Sequence, residues 1–167
     1  MIDAQIERAA MGVLDLCRSS TLTLATAESC TGGLVAGALT AIPGSSDVVD
    51  RGFVTYSNRA KREMLGVCES LLAAHGAVSE ATARAMAEGA LRAAGTDLAV
   101  AITGVAGPGG GSAEKPVGLV HVACARSGRT VQHRQLQFGP LSRDEIRRRS
   151  VLTALDMLAQ AASSPPD

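Results

Sequence analysis

The chain's single tyrosine, Tyr56, stands ten residues after Ser46 and five before Lys61, within the stretch SSDVVDRGFVTYSNRAK. These residue types can hydrolyse an amide without metal or histidine, because a serine hydroxyl can attack the carbonyl carbon while a nearby base takes its proton. Lysine serves as that base only when neutral. Its reference pKa is about 10.4, so neutrality near pH 7 requires a fall of about 3 pH units, worth about 4 kcal/mol. Desolvation or a neighbouring cation can supply it. A tyrosine hydroxyl can relay a proton or hydrogen-bond the amine. The spacing suits a turn serine and a solvated helix lysine equally well.

Two glycine-bearing stretches could form the rest of a site. AESCTGGLVAG, residues 27–37, falls where a strand hands over to a helix. Free N–H groups at such a helix start favour an anion. Ser29 and Thr31 would add hydroxyls, and Gly32 and Gly33 would admit a ligand close to the backbone. An ordinary helix cap with packing glycines explains the pattern as well. TGVAGPGGGSAEKPVG, residues 103–118, follows an apolar run and is long for a connection. Loops of that kind at the carboxyl end of a strand are often ligand loops.

The elements that must position these residues follow from periodicity. Residues 4–18 predict a helix with Ile6, Ala9, Val13 and Cys17 on one face. Strands are expected at 21–28, 51–57 and 97–103, and helices at 31–42 and 58–66, the latter stopped by Gly66. Residues 79–94 form the clearest amphipathic pattern, with Ser79 as N-cap. GLVHVACAR and TVQHRQLQF read as a hairpin about SGR. Ser142 and Glu145 make a capping box, stapled by Leu141 and Ile146, for a last helix buried along Val151, Ala154, Leu155, Leu158, Ala161 and Ala162. This order predicts an α/β fold, a three-layer α/β/α sandwich about a mixed, mostly parallel sheet. One domain over 1–162 and a flexible tail at 163–167 account for the length.

Composition excludes several classes. Sixteen basic residues balance sixteen acidic ones, and there are two Phe, one Tyr and no Trp. Neither charge nor stacking surface favours nucleic acid. No apolar run reaches the ~20 residues that span a bilayer. Cys17, Cys30, Cys68 and Cys124 are scattered, as are His75, His121 and His133, so no metal or redox motif is expected. A reducing cytoplasm suits the free thiols.

TAESCTGG, PGSSDVVDRGFVTYSNRAK, GAVSE and ITGVAGPGGGSAEKPVGLV, in this order, closely resemble the CinA C-terminal domain family over roughly residues 5–160. The resemblance implies a stand-alone nicotinamide-nucleotide amidase that converts nicotinamide mononucleotide to nicotinic acid mononucleotide and ammonia in pyridine nucleotide recycling. Position by position it implies Ser46 as nucleophile, Lys61 as general base and Tyr56 as its assistant, with Ser29 as rival nucleophile. It places Ser29, Thr31, Gly32, Thr103, Gly104 and Arg143 around the substrate. It implies a small-molecule nucleotide substrate, no cofactor and a homodimer. Backbone N–H groups near Ser45–Asp47 would be oxyanion donors. The alternative is a non-catalytic nucleotide-sensing or partner-binding domain.

Overall fold

The structure, a computed structural model, describes residues 2–165. A first helix, α1 (Ala4–Ser19), begins at Asp3, whose carboxylate accepts from the N–H groups of Gln5 and Ile6. Then come β1 (Leu24–Glu28), α2 (Leu34–Thr40), a 3₁₀ turn (Ser45–Asp47), β2 (Val49–Val54) and α3 (Asn58–Leu65). The chain continues through α4 (Glu69–His75), α5 (Glu80–Ala94), β3 (Leu98–Gly104), β4 (Leu119–Arg126), β5 (Gln132–Gln137) and α6 (Arg143–Ser163).

The five strands form one mixed sheet in the order β2-β1-β3-β4-β5. β1 runs parallel to both β2 and β3, whereas β4 lies antiparallel to β3 and to β5. The expected α/β sandwich and its terminal hairpin are therefore present. β1, β3 and nearly all of β4 are buried, as expected of strands covered on both faces.

Strand alternation divides the core in two. Leu98, Val100 and Ile102 of β3, with Val120, Val122 and Cys124 of β4, face α1, α2 and α6. The intervening Ala99, Ala101, Ala123 and Ala125 face α5, which answers with Ala83, Met86, Ala87 and Ala90. Alanine meeting alanine brings α5 close to the sheet, so small side chains fill a core that has almost no aromatic groups. Gly89 shows how close this packing is: a Cβ there would lie 2.1 Å from the Leu65 carbonyl oxygen at the end of α3.

Local signals set the helix ends. Ser57, Ser79 and Ser142 each cap a helix by accepting from a backbone N–H three residues on. Gly66 and Gly95 close α3 and α5 at positive φ, where glycine carries no Cβ penalty. Three expectations shift. β1 starts at Leu24 rather than 21, β2 ends at Val54, and α2 is only seven residues long because Gly32 and Gly33 hold left-handed φ before it. α4 has no counterpart in the sequence reading; seven residues show too little periodicity. In the expected tail, Ser163 closes α6 and the Ser164 carbonyl accepts from Arg126 (2.8 Å). Residues 166 and 167 lie outside the described residues.

Candidate active site

The parallel pairing decides which loops meet. β1, β2 and β3 end at the same sheet edge, so Ser29 after β1, Thr55 and Tyr56 after β2, and Thr103 at the end of β3 converge. A cavity of about 290 Å³ lies there, where open α/β sheets place ligands. Ser29, Tyr56, Lys61, Thr103, Gly104 and Arg143 all line it.

Lys61 is the centre of this group. It sits in the first turn of α3 yet points inward, leaving only 1% of its surface exposed. Its Nζ donates to the Thr55 carbonyl (2.8 Å) and to Ser29 Oγ (3.1 Å). Burial lowers its pKa from the ordinary lysine value. Among the described residues no carboxylate pairs with it, so desolvation of the charged form dominates. Beside it, burial pushes the Cys30 thiol up to about 12, which keeps that sulfur protonated and poorly nucleophilic.

Ser46 is not part of this cluster, which corrects the sequence expectation. It lies on the exposed 3₁₀ turn before β2, at the amino end of the strand. β2 has six residues, so about 20 Å of strand separates that turn from Thr55. The turn's own N–H groups are used locally, Asp47 to Gly44 and Val48 to Ser45, and Arg18 of α1 ties it down through Gly44 O and Asp47. The N–H groups around Ser45–Asp47 are equally remote from the cavity. Ser29 is the serine at the lysine.

Tyr56 lines the mouth of the cavity and is 60% exposed. Its hydroxyl accepts from Arg143 Nη2 (2.9 Å), while Arg143 Nη1 donates to the Gly107 carbonyl (2.8 Å). The arginine thus spans the Tyr56 loop and the glycine-rich loop. Thr103 is buried and donates to the Ala77 carbonyl (2.7 Å), fixing the segment before α5 against β3. Gly104 is required by packing, since a Cβ would approach Val120 Cγ2 to 2.8 Å.

The anion site expected at the start of α2 is filled by the protein itself. Glu28, buried at the end of β1, accepts from the N–H groups of Gly33 (3.1 Å), Val35 (3.1 Å) and Ala36 (2.9 Å). It caps the helix from outside, in place of an N-cap side chain. A ligand phosphate therefore does not belong there. The only sequence signal for Glu28 was an acidic residue at the end of an apolar strand. Thr31 is buried with Oγ1 lacking a partner among the described residues, and Gly32 at φ +60° lets the chain turn over it. Arg147, which the sequence reading passed over, reaches this turn through Nη2 to the Thr31 carbonyl (3.1 Å).

A larger hollow, about 560 Å³, lies beside β5 and the end of α6. Its Arg126 already caps α6 through the carbonyls of Ala161 and Ser164, and its Arg134 pairs with Asp156. Among the described residues no hydroxyl or thiol in it is hydrogen-bonded to a base. Among the described residues no cluster of three His, Cys, Asp or Glu could hold a metal. No helix among them is long and apolar enough to cross a membrane.

Residues 6–162 match the sequence profile of the CinA C-terminal domain. The chain belongs to the CinA C-terminal domain family. A CinA-like protein of Anaeromyxobacter dehalogenans is 54% identical over 138 residues, covering 83% of this chain and 33% of the relative. One from Akkermansia muciniphila is 51% identical over 146 residues, covering 87% and 35%. The chain thus spans about a third of the length of the curated relatives it matches. Among solved structures, the competence/damage inducible protein CihA of Agrobacterium tumefaciens superposes with a TM-score of 0.94 at 53% identity, covering 96% of this chain and 98% of that one. The CinA superfamily protein of Escherichia coli does so with a TM-score of 0.89 at 35% identity, covering 96% and 92%.

Proposed function

We propose that this CinA domain is an amidohydrolase that deamidates nicotinamide mononucleotide, with Ser29 as nucleophile and Lys61 as general base. The observation that carries this reading is the buried Lys61 amine, 3.1 Å from Ser29 Oγ. A buried lysine with a lowered pKa beside a serine hydroxyl is an arrangement suited to acyl transfer.

In the neutral amine, one N–H continues to donate to the Thr55 carbonyl while the nitrogen lone pair accepts the Ser29 O–H. As Ser29 Oγ attacks the carboxamide carbon, that proton moves to Nζ. The tetrahedral intermediate collapses when the ammonium returns the proton to the departing nitrogen, which leaves as ammonia. The resulting ester on Ser29 is opened by water, whose proton Lys61 takes and returns to Ser29. The acid is released and the serine restored. The intermediate's oxyanion needs preorganised donors, each worth about 3 kcal/mol. The Cys30 and Thr31 N–H groups, which follow Ser29 in sequence, are the backbone donors we assign to it.

The substrate's phosphate suits the guanidinium of Arg143 at the cavity mouth, whose fork now holds Tyr56 and Gly107. Tyr56, bonded to Arg143 rather than to Lys61, is then a substrate-side group. Incubation with nicotinamide mononucleotide should release ammonia, and rapid quenching should leave an acyl mass on the peptide containing Ser29. Tight binding without ammonia release would instead favour a nucleotide sensor.

A further inference from the structure

We propose that Arg147 is a positioning residue for Ser29: its guanidinium holds the Thr31 carbonyl and so fixes the turn that presents the nucleophile. The inference rests on the reading of Ser29 as nucleophile, and it is independent of which amide is the substrate.

The turn from Ser29 to Gly33 has few fixed points. Ser29 N–H donates to the Ile102 carbonyl at 3.0 Å, and Gly32 N–H returns to the Ser29 carbonyl at 3.0 Å. Gly32 and Gly33 then adopt φ of +60° and +100°, conformations that glycine enters with little resistance. Thr31, between these points, is fully buried, and its Oγ1 finds no partner among the described residues. Among the described residues only its carbonyl is hydrogen-bonded. That oxygen accepts from Leu34 N–H, the first residue of α2, at 3.2 Å, a local contact three residues along the chain. It also accepts from Arg147 Nη2 at 3.1 Å, from 116 residues away, whereas the turn's other tie at this end, Gly33 N–H to Glu28 Oε2 at 3.1 Å, comes from the adjoining end of β1.

Arg147 is well placed to anchor. Its neighbour Ile146 and the next buried positions of α6, Ser150 and Val151, are set in the core, so the helix is a rigid base. Arg143, one helical turn earlier, holds Gly107 and Tyr56. One end of α6 therefore grips three of the loops around the cavity. The Arg147 Nε is buried without a partner among the described residues, a cost the fold tolerates while the outer nitrogen serves the turn. The Thr31 carbonyl shares its peptide plane with the Gly32 N–H that bonds back to the Ser29 carbonyl, so a tie on that oxygen bears on the residue carrying the nucleophile.

The test compares native protein with Arg147→Met, which keeps the apolar stem and removes the donors, and with Arg147→Lys, which restores one donor. Two rates are read: labelling of Ser29 by a small fluorophosphonate, and turnover of nicotinamide mononucleotide. Arg147→Met should slow labelling and kcat at least tenfold with KM changed less than twofold, and Arg147→Lys should recover much of the loss. Labelling within twofold of native would overturn the proposal, as would a raised KM at native kcat, which would make Arg147 a substrate ligand. Absence of labelling at Ser29 in the native protein would overturn it together with the assigned nucleophile. If native protein labels but releases no ammonia, the substrate reading fails and the labelling rates alone decide. If Arg147→Met does not fold, Arg147→Gln is read in its place. Loss of fold in both would assign the bond to stability and overturn the proposal.

Discussion

Lys61 Nζ and Ser29 Oγ stand 3.1 Å apart although 32 residues separate them in the chain. Neither residue is placed by the other's element. Ser29 is set by the end of β1, and Lys61 by an α3 that the Leu65–Gly89 contact locks under α5. The pair forms because β1 and β2 run parallel and release their following loops at one edge.

The choice of serine is the sharpest consequence. Ser29→Ala should lower kcat by about 10³-fold or more, the scale of losing a nucleophile. Ser46→Ala should stay within twofold of native. Steady-state ammonia release measures both, and a dead Ser46→Ala with an active Ser29→Ala would sink the assignment.

Lys61 links activity to pH. Its pKa is lowered by burial, so the neutral, working base appears as pH rises through a value below the usual 10.5. kcat/KM should therefore climb with pH to a plateau, and Lys61→Arg, which stays charged, should be inactive. Stability has the same sign. Between the lowered folded pKa and 10.5 the unfolded chain binds the extra proton, so stability rises with pH across that window and is lost as pH falls. Urea midpoints of native protein and Lys61→Met should converge at high pH and separate below it, with Lys61→Met the more stable at low pH.

Packing at Gly89 reaches the site through α3. A Cβ at 2.1 Å from the Leu65 carbonyl forces backbone movement, so Gly89→Ala should cost about 1–3 kcal/mol despite alanine's better helix propensity. Because α3 carries Lys61, kcat should fall too. Equilibrium unfolding with parallel ammonia assays would show both effects.

His121 and His133 stack on the α5 side of the sheet, with Nδ1 and Nε2 3.0 Å apart and Glu80 next to His133 at 3.6 Å. Burial lowers both pKa values. Each histidine or a nearby cation adds to this, His133 and Lys115 for His121 and Arg84 for His133, against the opposing pull of Glu80. Below about pH 6.5 the unfolded chain takes up protons that the folded pair refuses. Stability should therefore drop as pH falls from 6.5 through those lowered values. His121→Gln should flatten that slope in urea titrations at pH 5 and pH 7.

Thiol reactivity separates the two cysteines near the working elements. Cys30 is buried with its thiol pushed up to about 12, whereas Cys68 is exposed and its pKa is lowered by the neighbouring Ser70 hydroxyl. Iodoacetamide should modify Cys68 first without loss of activity. Peptide mass mapping beside the ammonia assay checks this, and early alkylation of Cys30 would contradict the burial.

Much of this molecule was written locally. Helix ends followed from Ser79, Ser142 and Gly66, the hairpin from SGR, and α5 from its alanine period, because caps, turns and amphipathic faces are interactions between residues a few positions apart. The same local signals placed Lys61 on a helix after a strand, and Thr103 and Gly104 at the head of a long glycine-rich loop. What they could not carry was direction in space. Ser46 lies nearer to Lys61 in sequence than Ser29 does, yet six residues of β2 send it to the far edge of the sheet. Glu28, which reads as one more polar residue beside a glycine turn, closes the anion site that the turn suggested. Strand pairing decided which serine meets the lysine, and burial by the surrounding elements decided that this lysine's pKa is lowered.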